Sequence, residues 1–447
     1  MKKIFDENNY SHLHIVGVGG VSTSALAEYF LARGIFVSGS DESFNDRCFR
    51  LKNLGAKIYI GHRAKNITFS KGALIYTSAV KDNNPEIVTA RKKGLDIFKR
   101  SEVLGSVASK YKNSIAVSGS HGKTTTSCMI ADIFMRANLL PTIFLGGESV
   151  NFNNFKFATG DYVVYEACEY DRSFLDFSPT LSVVLNVDND HLDTYQNITE
   201  ELSAFRDFSK NSQSVVCVDD KYAKSLVKDG DITFGFSKNA RYRAKYFKNE
   251  EDGISFSVYC EKDRLGRVKL NAIGRYNALN ALSAIAVSVT CGIDFAVIKD
   301  ALQNFKGVKR RNEFLGEKDG VKIYSDYAHH PSEIKAVYEG QKVDTLIVFQ
   351  PHTYSRTKLL ISDFISVLSK IENLIIYKTY PAREKYDKTG DALTLYKKIK
   401  KEKKNVRYAK NYKKLHKIIL KRYKGIEKIV FMGAGDIYAL AKKFLVL

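Results

Sequence analysis

No run of about 18 consecutive apolar residues occurs in the 447-residue chain, so the sequence offers no membrane-spanning helix. The opening MKKIFDENNY has two lysines but no apolar stretch behind them, which argues against a secretory signal there. Cysteine is sparse and scattered: Cys48, Cys128, Cys168, Cys217, Cys260 and Cys291 form no CxxC and no Cys/His cluster. That disfavours a disulfide framework and structural zinc, and makes a reducing cytoplasm the natural compartment. With only 6 prolines, domain boundaries must be read from patterns that restart, not from Pro-rich linkers.

What is present suits a folded, multidomain protein. At 44% hydrophobic and 12% aromatic the chain can bury several cores. Acidic residues are in deficit: 70 Lys and Arg face 49 Asp and Glu, a net charge of +21. Such a charge fits nucleic acid, a membrane surface or a phosphorylated small molecule, and equally a lysine-rich surface with no dedicated partner. Residues 397–428 hold 13 Lys and 2 Arg against 2 Glu, a net +13. Apolar residues from Tyr412 to Tyr423 recur at intervals of three and four, so the segment reads as a solvated amphipathic helix with a neighbouring turn.

Three stretches alternate strand and helix, the mark of a parallel α/β sheet. The first predicts strands over 13–18, 36–38, 57–60 and 73–77. The second predicts strands over 114–118, 161–166, 181–187 and 215–218, a section of short β patterns over 234–268, and a helix over 277–290. The third restarts at 321–325, with strands over 345–349, 374–377 and 428–432. The expected fold class is α/β in three domains, 1–109, 110–309 and 310–447.

The strongest local signal is Gly119-Ser120-His121-Gly122-Lys123-Thr124-Thr125, between a predicted strand and a predicted helix. Glycines let backbone N–H groups reach phosphate oxygens, and the helix N-terminus adds partial positive charge. Lys123 would neutralise the β- and γ-phosphates and the Thr124 hydroxyl would sit on Mg2+. Val117 stands where the usual P-loop has glycine, so this loop is the shorter GxxGKTT. Gly17-Val18-Gly19-Gly20 also follows a strand, but Ser22 breaks the GxGxxG pattern. Asp41, 22 residues after Gly19, stands where a ribose-binding acid would. A phosphate-bearing nucleotide and a plain tight turn both remain open there.

Further polar groups fall at predicted strand ends, which line the ligand crevice of an open parallel sheet. Glu166 ends one strand, and Asp188, Asp190 and His191 follow another. Carboxylate and imidazole there suit Mg2+ beside ATP. In the third stretch Asp326-Tyr327-Ala328-His329-His330-Pro331 and Gln350-Pro351-His352-Thr353-Tyr354-Ser355-Arg356-Thr357 would share a crevice, as ligand groups or as loop caps.

The order GVGG, SGSD, SGSHGKTTT, EACEYDRSFL, NVDNDHLDTY, GRYNALNALSAIA, RRNEF, SDYAHHPSEI, FQPHTYSRT and FMGAGDIY resembles the Mur ligases over about residues 12–440. The resemblance is strongest to members that join L-alanine to UDP-N-acetylmuramate, ahead of those that add a peptide or another amino acid. It implies a Rossmann-like UDP-binding domain, a central P-loop-type ATPase with a mixed sheet, and a Rossmann-like amino-acid domain. It implies that ATP phosphorylates the lactyl carboxylate and that the alanine amine attacks the acyl phosphate, in peptidoglycan precursor synthesis. Lys123 matches the phosphate lysine; Thr124, Glu166 and His191 match magnesium ligands. Asn280, Arg311 and Asp326 match ATP-site positions. His329, His352 and Arg356 match the region that receives alanine and the reacting carboxylate. Gly19, Gly20, Ser40, Asp41 and Ser78 match the UDP-sugar region. Monomer and homodimer both fit.

The sequence departs from the commonest family pattern at Ser120, Ser22-Thr23, Tyr276, Ser325, Asn312 and Thr353, the last standing where many relatives carry arginine. A nucleic-acid-stimulated ATPase would use a motor-type Walker A and a basic platform interleaved with aromatics, and neither is evident. Lys123, Glu166 and His191 argue against a catalytically empty scaffold.

Overall fold

The computed structural model describes residues 3–188, 194–250, 253–341, 343–403, 405–422 and 425–446. The chain forms three sheets, of five, ten and six strands. It groups into two compact units: Met1–Phe247 with Ser255–Leu270 and Ala278–Lys306, and Lys248–Ile254 with Asn271–Asn277 and Gly307–Leu447. No helix among the described residues is long and apolar enough to cross a membrane.

The first sheet contains β1 (His12–Val16), β2 (Phe36–Asp41), β3 (Lys57–Ile60), β4 (Ala73–Tyr76) and β5 (Asp96–Lys99). Its order is β3-β2-β1-β4-β5, all parallel. The connections carry α1 (Val21–Ala32), α2 (Asp46–Asn53), α3 (Pro85–Lys92) and α4 (Arg100–Ala108). The strand order reverses beside β1, which puts the crevice at the carboxyl ends around its glycine loop. β2 runs to Asp41, further than its apolar residues predict, because Ser40 and Asp41 pair with Tyr59 and Ile60 of β3. Asn45 and Asn84 cap α2 and α3 by accepting backbone N–H groups that the first turn leaves unpaired.

The second sheet contains β6 (Asn113–Ser118), β7 (Thr142–Ser149), β8 (Asn153–Lys156), β9 (Tyr162–Glu166), β10 (Leu181–Val184), β11 (Gln213–Cys217), β12 (Ile232–Gly235), β13 (Tyr242–Glu250), β14 (Gly253–Cys260) and β15 (Asp263–Leu270). Its order is β15-β14-β13-β12-β11-β10-β6-β9-β7-β8. The sheet is mixed: β6 is parallel to β9 and β10, whereas β7 and β8 are antiparallel. Its helices are α5 (Lys123–Arg136), α6 (Ile198–Ser209), α7 (Arg275–Thr290) and α8 (Phe295–Gln303). β10 ends at Val184, short of the predicted 187, because the Asn186 carbonyl accepts the Ser120 N–H and so serves the glycine loop. One buried cluster joins the first two sheets: Tyr29 and Phe30 of α1 belong to it with Phe144 and Phe155, and the Tyr29 and Phe144 rings lie 5.8 Å apart. Each buried aromatic of this kind contributes about 1.5–3 kcal/mol over an exposed one.

The third sheet contains β16 (Glu313–Lys318), β17 (Val321–Asp326), β18 (Thr345–Phe349), β19 (Asn373–Tyr377), β20 (Val406–Ala409) and β21 (Lys428–Met432). Its order is β16-β17-β21-β18-β19-β20, with only β16 antiparallel to its neighbour. Around it lie α9 (Pro331–Glu339), α10 (Tyr354–Leu359), α11 (Ile361–Leu368), α12 (Ala392–Glu402), α13 (Tyr412–Arg422) and α14 (Ile437–Val446). The basic stretch 397–428 differs from its sequence reading. It holds the last part of α12 and all of α13 with strand β20 between them, and its last residue, Lys428, opens a buried strand. Four residues of Val-Arg-Tyr-Ala are too short a pattern to show through flanking lysines.

Candidate active site

The central glycine loop leaves β6 and enters α5. Gly119 has φ +130°, and a Cβ there would sit 3.0 Å from the Asn186 oxygen. Gly122 caps α5 at φ +88°, and a Cβ there would sit 2.5 Å from Asn280 Oδ1. Both positions therefore need glycine for conformation and for space. Lys123, the first residue of α5, folds back over the loop. Its Nζ donates to the Gly119 carbonyl, to the Ser120 carbonyl at 3.2 Å, and to both Glu169 oxygens at 3.0 and 2.9 Å. Burial alone would weaken the charge on Lys123, but the attraction of Glu169 outweighs it and its pKa is raised. Glu169 is fully buried. The sequence reading did not single it out, although it stands three residues after Glu166 in the same motif.

Next to this pair, Thr124 Oγ1 donates to Glu166 Oε2 at 3.0 Å. Glu166 also accepts the Gly146 N–H. A Cβ at Gly146 would sit 2.7 Å from Glu166 Oε2, and one at Gly147 would sit 2.8 Å from Thr124 Cγ2, so bare backbone lets β7 close on these two groups. A hydroxyl and a carboxylate at a helix N-terminus are hard oxygen donors of the kind a small divalent cation takes. His191 and Asp190 lie outside the described residues. Thr125 is half-buried on the first turn of α5. Behind the loop, Asn186 grips the His121 backbone twice, accepting its N–H at 2.8 Å and donating to its carbonyl at 3.0 Å. Ser120 Oγ accepts the Asp188 N–H at 2.7 Å, and His121 Nε2 meets Asp188 Oδ2 at 3.2 Å. The segment after β10 thus holds the loop from below, a role of Asn186 that its place in NVDND only hinted at.

The glycine loop of the first sheet is built otherwise. Asp41 Oδ2 accepts the Gly19 N–H at 2.9 Å, while Arg47 Nε and Asn45 Nδ2 donate to the Gly19 carbonyl at 2.7 and 3.2 Å. A Cβ at Gly19 would lie within 2.9 Å of Asn45, Cys48 and Asp41 side-chain atoms. Gly20 caps α1. Ser40 is fully buried; its hydroxyl donates to Glu86 Oε2 at 2.6 Å and meets His62 Nδ1 at 2.8 Å. Ser78 is exposed on the turn after β4.

The second compact unit gathers the remaining candidates. Both carboxylate oxygens of Asp326 are engaged with backbone, accepting the Ala328 and Asn312 N–H groups at 2.7 Å each. Burial pushes the Asp326 pKa up, against the pull of Arg311. Arg311 Nη1 reaches Glu333 Oε1 at 3.5 Å, and Glu333 Oε2 accepts the His329 N–H at 3.0 Å. The His329 ring stands edge-on to His352, 5.9 Å between centroids, and His352 stacks on Tyr380. Burial, then the nearby His329 and Arg356, hold the His352 pKa down at about 4, so its ring is neutral at physiological pH. Arg356 is half-buried on the first turn of α10.

Three family models match the chain in sequence order: Mur ligase family, catalytic domain, over residues 12–112; Mur ligase middle domain, over 117–288; and Mur ligase, glutamate ligase domain, over 310–435. A UDP-N-acetylmuramate--L-alanine ligase of Acetivibrio thermocellus is 38% identical, covering 99% of this chain and 97% of its own. The same-named protein of Clostridium tetani is 40% identical, covering 97% of each. The chain belongs to the Mur ligase family. Among solved structures, UDP-N-acetylmuramate-alanine ligase from Thermotoga maritima superposes with TM-score 0.84 at 29% identity, over 97% of this chain and 98% of that one. Against that family's pattern, the departures in this Mur ligase acquire local reasons. Thr353, at φ +66°, caps α10 by accepting the Arg356 N–H at 3.4 Å. Asn312 bridges two elements: its N–H goes to Asp326 and its Oδ1 accepts Lys428 Nζ at 3.2 Å. Tyr276 is half-buried, and desolvation followed by the charge of Asp326 raises the pKa of its hydroxyl. Ser325 is fully buried in β17.

Proposed function

We propose that this Mur ligase joins L-alanine to the lactyl carboxylate of UDP-N-acetylmuramate with hydrolysis of ATP to ADP and phosphate, in the cytoplasm, as a step of peptidoglycan precursor synthesis. The observation that carries the reading is the charged Lys123, held by Glu169 across a glycine loop at the N-terminus of α5. Full-length relatives that bear the alanine-ligase name support the choice of substrates. Residues 1–109 would hold the UDP-sugar, 110–309 the ATP, and 310–447 the amino acid.

A carboxylate is a poor electrophile, so activation has to precede amide formation. The lactyl carboxylate oxygen attacks the γ-phosphorus, the bond to the β-phosphate oxygen breaks, and ADP leaves. The alanine amine then attacks the acyl carbon; phosphate departs with the C–O electrons and the amine loses a proton. Two anions must meet in the first step, and preorganised positive charge is what lowers its barrier. Lys123 and the N-terminus of α5 would supply that charge, on a loop that Glu169 and Asn186 already fix. Thr124 and Glu166, with His191, would hold Mg2+, which would supply positive charge to offset that of the phosphates. In the third domain a neutral His352 adds no charge beside Arg356, leaving the guanidinium to the amino-acid carboxylate. Asn280, which stands against Gly122, would contact the ATP, and Arg311, Asp326 and His329 keep the roles that the family resemblance gives them.

The test is ADP release with ATP, UDP-N-acetylmuramate and a panel of amino acids. Release that needs both the nucleotide sugar and L-alanine supports the reading. Release with an alanyl peptide in place of alanine would move the protein to the peptide-adding relatives, and a preference for glycine or serine would reassign the amino acid.

A further inference from the structure

Arg47 spans from the glycine loop of the first sheet to a strand of the second. It stands on the first turn of α2. Its Nε donates to the Gly19 carbonyl at 2.7 Å, inside the loop that follows β1. Its Nη1 donates to Glu148 Oε1 at 3.1 Å, near the end of β7. The Arg47 side chain is 26% exposed and that of Glu148 is 23% exposed, so the pair is partly shielded from water. A guanidinium–carboxylate bond is charge-assisted and stronger than a neutral one. Both bonds start from one rigid plane, so a shift at Gly19 turns the group that holds Glu148.

Glu148 follows directly on Gly146 and Gly147, the bare backbone that closes on Glu166 and Thr124. β7 pairs with β9 only as far as Phe144, and with β8 at Phe144 and then again only at Ser149. Residues 145–148 therefore bulge out of the ladder, a device common beside active sites. Without ladder bonds to set it, the bulge is placed by side chains. Glu166 accepts the Gly146 N–H at one end, and Arg47 holds Glu148 at the other.

We infer that Arg47 is a positioning residue that couples the two substrate sites, passing the setting of the Gly19 peptide through Glu148 to the β7 bulge over Thr124 and Glu166. The inference rests on the reading of the first glycine loop as the nucleotide-sugar site and of the second as the ATP site. Asp41 now accepts the Gly19 N–H. A ligand that engages Asp41 and that N–H resets the peptide, while Arg47 keeps its carbonyl and carries Glu148 with it. Each substrate thus fixes a link that both sites share. The second to bind no longer bears that ordering cost, so each tightens the other, by the same factor in both directions. Arg50, three residues along α2, does a different job. It donates to Glu28 Oε1 of α1 at 2.8 Å and to the buried Asn154 Oδ1 of β8 at 2.6 Å. It ties the same helices and hairpin together without touching Gly19 or the bulge.

Calorimetry on the full-length protein tests this, without alanine. The probe is an ATP analogue with a non-transferable γ-phosphate plus Mg2+, titrated with and without saturating UDP-N-acetylmuramate. The wild type should bind the analogue about fivefold tighter, or more, when the nucleotide sugar is present. Arg47→Met and Glu148→Gln should each bring that factor to about one, and the double variant should do no more than either alone. Arg50→Met should lower the thermal midpoint and keep the wild-type factor. A purely structural Arg47 would lower the midpoint and leave the factor unchanged in Arg47→Met, which overturns the inference. So does an equal loss of coupling in Arg50→Met, or a wild-type factor of about one although both ligands bind. If the wild type fails to bind either ligand, the reading of that loop falls and takes the inference with it.

Discussion

Lys123 and Lys428 are both largely withdrawn from water, which lowers a lysine pKa, yet their pKa values move in opposite directions. Lys428 opens β21 at 7% exposure, with its Nζ 3.8 Å from the centroid of the Tyr324 ring and one hydrogen bond, to the amide oxygen of Asn312. Burial lowers its pKa to about 8, partly opposed by the more distant Asp326. Lys123 pays the same desolvation cost but faces a buried carboxylate, and its pKa rises. The difference separates a lysine held charged against a glycine loop from one packed at the start of a buried strand. It also divides the +21 of the chain. Lys397, Lys400, Lys401, Lys413, Lys414 and Lys417 are exposed on α12 and α13, and none of the candidate site residues lies on those helices.

The largest effect should come from removing the paired lysine. Lys123→Met should lower kcat by about 10³-fold or more with the fold intact by circular dichroism, since a preorganised cation at the transferring phosphoryl group is lost. A near-normal kcat would erase the distinction between the two lysines. Glu169→Gln should make Lys123 resemble Lys428: an unpaired buried ammonium costs about 3 kcal/mol or more, read as a lower denaturation midpoint, with Lys123 now titrating below its ordinary range.

Lys428→Met should act on stability and hardly on turnover. The folded pKa of about 8 lies below the ordinary lysine value of 10.5, so between those limits the unfolded chain binds more protons and stability rises with pH. Below about pH 8 the cost of burying the ammonium is fully present. The methionine variant should therefore gain about 1–3 kcal/mol at neutral pH, a gain that fades toward pH 10.5 in denaturant titrations. A loss at neutral pH would mean that the Asn312 bond and the ring contact outweigh desolvation. The smallest effect belongs to the exposed lysines: Gln at 397, 400, 401, 413 and 417 together should leave kcat/KM within about twofold, because exposed charges remote from a site are screened.

Much of the site was readable before any coordinates. The glycine loop and Thr124 come together as strand–loop–helix grammar predicts, since that grammar is local, and Glu166 joins them from the end of the neighbouring strand β9. Glu169, Asn186 and Arg47 escaped because their meaning comes from what lies across a loop or a neighbouring strand. Glu169 looked like one more acidic residue in EACEYDRSFL until Lys123 folded onto it. Ser40 matched the UDP-sugar region with no sign in sequence of its partners, and pairing with β3 and the approach of α3 turn it inward to Glu86. Thr353, which the sequence marks as a lost cation, caps a helix.

By itself the sequence determined the α/β class, the family, the position of the glycine loop before α5 and the excess of lysine, because spacing, glycine placement and composition are properties of the chain. Only the tertiary structure decided which lysine carries a protected charge and which hydroxyl faces inward. Those outcomes depend on desolvation and on partners brought from distant parts of the chain, and the side chain alone specifies neither.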